Sequence, residues 1–208
     1  MTQLDKHIKM YKNVIDANWD FYVTLPNSSN KQKVFKELVG LSSNTLVSYY
    51  IHLNLIKHGL LVKNDWLNDI QITSVNIKQK YTNNYVTNIK VGLFVVYFSG
   101  VEAKLRELYE IIFSKKTKDL KFSQIYKELF KSLGTSNGAV AFFFFLSKIR
   151  NTIHTNGYYN KADFSYELNG HKYEIKKESY LNLLTEDLLY DIYNELLILF
   201  KVMKIKIS

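Results

Sequence analysis

The chain has 208 residues, with one proline, eight glycines and no cysteine. Its 47 % apolar and 23 % charged residues describe a packed globular protein rather than a disordered or collagenous one, and the missing thiols exclude disulfide scaffolds, redox CxxC sites and cysteine-bearing zinc or iron–sulfur sites. The net charge of +9 suits a phosphate-bearing partner, although abundant Lys, Asn, Ile and Tyr would also follow from AT-rich coding.

Leu4, Ile8, Tyr11, Ile15, Trp19 and Tyr22 recur every three or four residues and predict a first helix that ends before Pro26. Ser29 with Gln32 reads as a capping box, because each side chain can satisfy a free backbone amide of the first turn. The helix it opens should run toward Gly59, with a break expected near Gly40 and Ser42-Ser43-Asn44. Residues 63–84 show no sustained period and read as a long connection. From 85 to about 114 the pattern is helical again, and Phe94, Tyr97, Val101, Leu105, Leu108 and Ile112 form one stripe, as the central helix of a bundle would. A shorter helix over 122–133 should stop at Gly134. Ser136 can cap the next one, from 137 to about 154, whose AVAFFFFL stretch is apolar on every side, so that residues 142–145 read as core packing.

Asn156-Gly157 is a good terminator for that helix, since Gly enters the left-handed region without steric cost. Phe164, Tyr166 and Leu168 alternate with polar residues, as do Tyr173 and Ile175 across Asn169-Gly170, which predicts a hairpin near 163–176 with a type I′ turn. A last helix should cover 180 to about 204, with Leu184, Leu188, Ile192, Leu196 and Phe200 as its seam. The expected fold class is therefore mainly α: a single helical domain over 1–208, with one β-hairpin inserted before the C-terminal helix. The longest apolar runs, 91–98 and 139–146, fall short of the ~20 residues of a spanning helix. The N-terminus MTQLDKHIKMYK lacks a signal core. A soluble, cytoplasmic protein with no membrane partner is the expectation.

No HExxH, HxH, carboxylate cluster with metal-ligand spacing, Gly-rich phosphate loop or GxSxG occurs, so neither a metal nor another cofactor is expected. His7, His58 and His171 read as solvated side chains, and His52 as a hydrogen-bonded residue of the core or its boundary. His154 differs through its neighbours in IRNTIHTNG. Only two of the 28 basic residues are arginines, Arg106 and Arg150, which suggests a need for a planar, permanently charged fork. Arg150 and His154 are four apart, project from one helix face and can converge on one ligand. A phosphate-binding cation beside an imidazole that titrates near neutrality is the minimum kit for cleaving RNA without metal. Two cations complementing a helix C-terminus would have the same spacing.

Arg-Asn followed shortly by His, at the end of a penultimate helix, resembles the signature of the HEPN superfamily of helical domains, found in RNA-cleaving toxins, phage-defence proteins and CRISPR-associated nucleases. SKIRNTIHTNGYY, with a hairpin and final helix after it, is similar to a branch carrying Arg-Asn-x-Ile-His, and FSGVEAKLRELY looks like the family's other core helix. The resemblance spans about 85–208 and leaves 1–84 as a helical extension. The chain has three residues between Arg and His where the family usually has four to six. Asn156 stands where some members carry a tyrosine subject to nucleotide modification.

The resemblance implies a metal-independent RNA endonuclease leaving a 2′,3′-cyclic phosphate, in phage defence or a toxin–antitoxin system, with an antitoxin or defence protein as partner. It implies a homodimer whose two motifs share one cleft. Arg150, Asn151 and His154 would be catalytic, with Glu102 and Tyr158 in support. Glu102 would fix the Arg150 guanidinium or else form an ordinary i, i+4 bridge with Arg106, and Tyr158 and Tyr159 would stack on a base or close the core. The alternative is a non-catalytic HEPN module that binds nucleic acid or a partner protein. A third possibility is a helical interaction protein in which Arg150 and His154 are only structural.

Overall fold

A computed structural model describes residues 2–59, 74–135, 137–155, 158–159, 161–177, 179–180 and 184–207. Among these are six helices, α1 (Gln3–Val23), α2 (Asn30–Lys57), α3 (Val75–Phe113), α4 (Phe122–Ser132), α5 (Asn137–His154) and α6 (Glu186–Ile207). Between the last two helices lie four short strands, β1 (Tyr158–Tyr159), β2 (Phe164–Leu168), β3 (His171–Ile175) and β4 (Ser179–Tyr180). The protein is thus mainly α, with a hairpin before the last helix.

Local chemistry explains most boundaries. Thr2 with Asp5, and Ser29 with Gln32, form reciprocal capping boxes at the starts of α1 and α2. Gly134 follows α4 with φ +63°, the left-handed conformation that stops a helix. Asn169 and Gly170 have φ of 52° and 79°, as a type I′ turn requires. That turn sets the register Phe164–Ile175, Tyr166–Tyr173 and Leu168–His171. Strands β1 and β4 pair antiparallel, Tyr158 with Tyr180. The caps expected at Ser136 and Asn156-Gly157 lie outside the described residues.

Several expectations need correction. α2 runs unbroken past Gly40 and Ser42-Ser43-Asn44 because its serines are used across the bundle: Asn18 Nδ2 donates to Ser43 Oγ at 2.6 Å, and Ser42 Oγ shares a hydrogen bond with Tyr97 OH. α1 buries His7, Tyr11, Val14, Asn18 and Phe21, a face displaced from the apolar stripe, and leaves Trp19 56 % exposed. α3 starts at Val75 rather than 85. Its 39 residues make a rod about 58 Å long. By length and composition α3 could cross a bilayer, which the short apolar runs did not suggest; in this fold Phe94, Tyr97, Phe98, Val101, Leu105 and Leu108 are buried inside the bundle. α6 starts at Glu186, later than expected, where Thr185 Oγ1 accepts from the Leu188 N–H at 3.1 Å, and Tyr180 belongs to β4 instead.

The core joins α1, α2, α3 and α6 on one side to α4, α5 and the hairpin on the other. Gly100 permits a close approach of α2 and α3, since a Cβ there would stand 3.1 Å from Leu41. On the far side Phe122, Tyr126, Phe130 and Phe143 pack edge to face or tilted between α4 and α5. Phe145 stacks on Tyr166 of the hairpin at 4.8 Å. These contacts fix α5 between α3, α4 and the hairpin, and so fix the direction in which its C-terminal half points.

Candidate active site

α5 carries the Arg-Asn-x-x-His segment in its last two turns. Its apolar face locks the helix rotation: Phe142, Phe145, Leu146, Ile149 and Thr152 are buried. The opposite face presents Ser147, Lys148, Arg150 and Asn151 to a pocket of about 460 Å³. Phe98, Glu102 and Arg106 of α3 form a second wall. Lys121, Phe122, Ser123 and Tyr126, at the start of α4, form the third. Phe144 and Lys161 complete the rim, so five cations and one carboxylate surround this space.

The two arginines have different duties. Arg106 donates from Nε and Nη2 to Glu102 Oε1, at 3.1 and 2.7 Å, and from Nη1 to the carbonyls of Thr117 and Leu120, both at 3.2 Å. Its guanidinium ties the connection between α3 and α4 to the bundle. Among the described residues Arg150 donates only from Nη1 to Asn151 Oδ1, at 3.3 Å, and its buried Nε has no partner. Glu102 therefore holds Arg106, not Arg150; of the two roles open to it, the structure shows the ordinary bridge. Asn151 touches Arg150 at the pocket wall, where the sequence pattern puts it.

His154 is exposed in the last turn and lies outside the pocket's lining. It stands four residues beyond Arg150 and seven beyond Ser147, so it continues the pocket-facing side of α5 about 6 Å further along the axis. Tyr158 is in β1, and the role expected of its ring falls outside what is described. Tyr159 is buried, donates its hydroxyl to the Ala162 carbonyl at 2.8 Å and closes the core rather than offering a stacking face.

Three contributors escape a periodicity argument. Phe144, within a run expected to be core, is 43 % exposed while Phe142, Phe143 and Phe145 are sealed. Four consecutive residues sweep about 300° of a helix, and that geometry signals that one must face away. Lys148, four residues later, lies on the same side. Its Nζ is 5.0 Å from the Phe144 ring centre and 5.8 Å from those of Tyr159 and Phe164. The third is Tyr126, whose buried hydroxyl has no partner among the described residues and whose pKa burial raises above the ordinary tyrosine value.

Of the other histidines, His58 is exposed at the end of α2, as expected, and three pack into the fold. His7, expected to be solvated, is 6 % exposed and bonds Asp187 at 3.2 Å. His52 is buried as expected, but among the described residues its Nε2 has no partner, and its ring lies 5.3 Å from Tyr85. His171, largely exposed, is tied through Nδ1 to Asp191 at 2.8 Å. Among the described residues no three acidic or histidine side chains gather as a metal site would require. Compared with protein-family models, with curated proteins and with solved structures, the chain gives no match.

Proposed function

We propose that this protein is a metal-independent RNA endonuclease of HEPN type, working in phage defence or a toxin–antitoxin system in the cytoplasm. One observation carries the reading: Arg150 and Asn151 wall a pocket rich in cations, and among the described residues no carboxylate pairs with Arg150, while the other arginine on that pocket is held by Glu102 and two carbonyls. A guanidinium with free donors in a basic pocket suits a phosphodiester, whose two non-bridging oxygens match its planar fork.

In this reading Arg150 binds the scissile phosphate and stabilises the charge that builds on it. Asn151 orients the guanidinium. His154, at the open end of the same helix face, takes the proton of the 2′-hydroxyl, which attacks the adjacent phosphorus. The bond to the 5′-oxygen breaks, and that oxygen needs a proton. A second copy of the chain supplies it: a two-fold axis near the motif brings each motif against its own copy, so the two His154 side chains serve as base and acid. The products are a 2′,3′-cyclic phosphate and a 5′-hydroxyl.

The position of His154 outside the pocket favours one second reading, a non-catalytic HEPN module that binds nucleic acid or a partner protein through the same basic surface. Incubating the purified protein with RNA in EDTA separates the two. Cleavage with cyclic-phosphate ends and a dimer by light scattering are the expected results. Binding without cleavage, or cleavage only with Mg²⁺, would overturn the catalytic reading.

A further inference from the structure

The strip from Phe144 to Arg150 contains more than phosphate binding requires. Phe144 turns outward onto the pocket rim, and its ring is large, apolar and half-exposed in a protein that seals the other three phenylalanines of the run. Lys148 rests on that ring and on two others; among the described residues its polar partner is the Tyr159 hydroxyl at 3.5 Å, and no carboxylate pairs with it. An ammonium held mainly by ring faces lacks a counter-charge, which a phosphoryl oxygen supplies. Arg150 projects from a different side of α5 but lines the same pocket, with donors to spare. The pocket's 460 Å³ falls in the range of about 300–1,000 Å³ typical of sites for small organic ligands.

We propose that this pocket seats one nucleotide of a single-stranded RNA, with its phosphate between Lys148 and Arg150 and its base stacked on Phe144. The inference rests on the ribonuclease reading and names what that reading leaves open, the form of the substrate. A base stacked on a protein ring has left its own helix, so a paired strand cannot enter without first unpairing. A phosphorylated peptide would use the cations equally well but gives no reason for the ring, which is why RNA is the occupant chosen.

The test is binding, measured by fluorescence anisotropy on the full-length protein. The probe is a short 2′-O-methyl oligoribonucleotide, which lacks the free 2′-hydroxyl and is not consumed. An abasic version, its duplex and a phosphotyrosine peptide are the comparison probes. The single strand should bind at least tenfold tighter than the duplex or the peptide. Phe144→Ala should weaken the single strand about tenfold, the order expected for loss of one stacked base, and leave the abasic strand unchanged. Phe144→Leu keeps apolar bulk without a ring and should lose the same affinity. Lys148→Met should weaken both strands and flatten the salt dependence.

Equal binding of single strand and duplex, tighter binding of the peptide, wild-type affinity in both Phe144 variants, or no binding of the single strand would each overturn the proposal. Failure of the ribonuclease reading looks different. Binding that depends on Phe144 in a wild-type protein that cleaves nothing keeps the subsite and removes the enzyme. Wild-type cleavage with Phe144-independent binding does the reverse.

Discussion

Two clusters of polar side chains in this bundle are built on opposite plans. Around Asp191, 4 % exposed on α6, the donors are matched: Tyr173 OH and Asn169 Nδ2 donate to its carboxylate at 2.6 and 3.1 Å, and His171 pairs with it at 2.8 Å. These bonds pin the hairpin to the last helix. Around Arg150 the matching stops: its Nε and the Tyr126 hydroxyl are buried without partners among the described residues, and Lys148 leans on aromatic rings. A buried donor left unpaired costs about 1–3 kcal/mol, so the first cluster stabilises the fold while the second is a cost to it. The first cluster is architecture, and the second is the one that the proposed function gives to a ligand.

The sharpest way to break this contrast is catalytic. His154→Ala should lower RNA cleavage by roughly 10²–10⁴-fold, the usual share of a positioned acid or base, with an unchanged melting temperature, because an exposed last-turn residue carries little of the core. Asp191→Ala should do the opposite. It strands the Tyr173 hydroxyl and costs about 3 kcal/mol in denaturant unfolding, while cleavage per folded molecule holds.

Smaller effects sharpen the picture. Tyr126→Phe removes an unpaired hydroxyl and keeps the ring, so the melting temperature should hold or rise, by the equivalent of about 1 kcal/mol; a clear fall would mean that the hydroxyl has a partner. The pH dependence is smaller again. Asp191, through its hydrogen bond and then its charge, raises the pKa of His171 above 6.5. That stabilisation is complete below the unfolded value and fades as pH rises through the folded one. Burial lowers the pKa of His52, so protonating it opposes folding as pH falls. In melting curves from pH 5 to 8, the deficit of His171→Gln relative to wild type should be largest at the acid end and shrink toward neutrality.

Much of this arrangement is legible in the sequence, and what is hidden has physical causes. Boundaries set by local chemistry read directly: the Ser29–Gln32 box, the Asn169-Gly170 turn and the stop at Gly134. The buried face of α1 does not, because His7 and Asn18 occupy core positions by virtue of partners on distant elements, Asp187 and Ser43, and a polar core residue is invisible to hydrophobic periodicity. The same holds at the site. Arg150 and Asn151 announce themselves by type and spacing, whereas the role of Glu102 depended on whether Arg106 or Arg150 lay nearer, a tertiary matter. Phe144 was hidden by its neighbours, since a run of four identical residues has composition but no phase.

Two arginines on one pocket do different work under the proposed function, and replacing each by lysine while following RNA cleavage beside thermal unfolding tests this. Arg150→Lys keeps a charge but loses the fork, and should abolish most cleavage with its melting temperature intact. Arg106→Lys cannot hold Glu102 and two carbonyls in the same geometry, and should lower the melting temperature while the folded fraction cleaves within a few-fold of wild type. Wild-type cleavage by Arg150→Lys, or loss of stability in that variant instead of activity, would contradict the account.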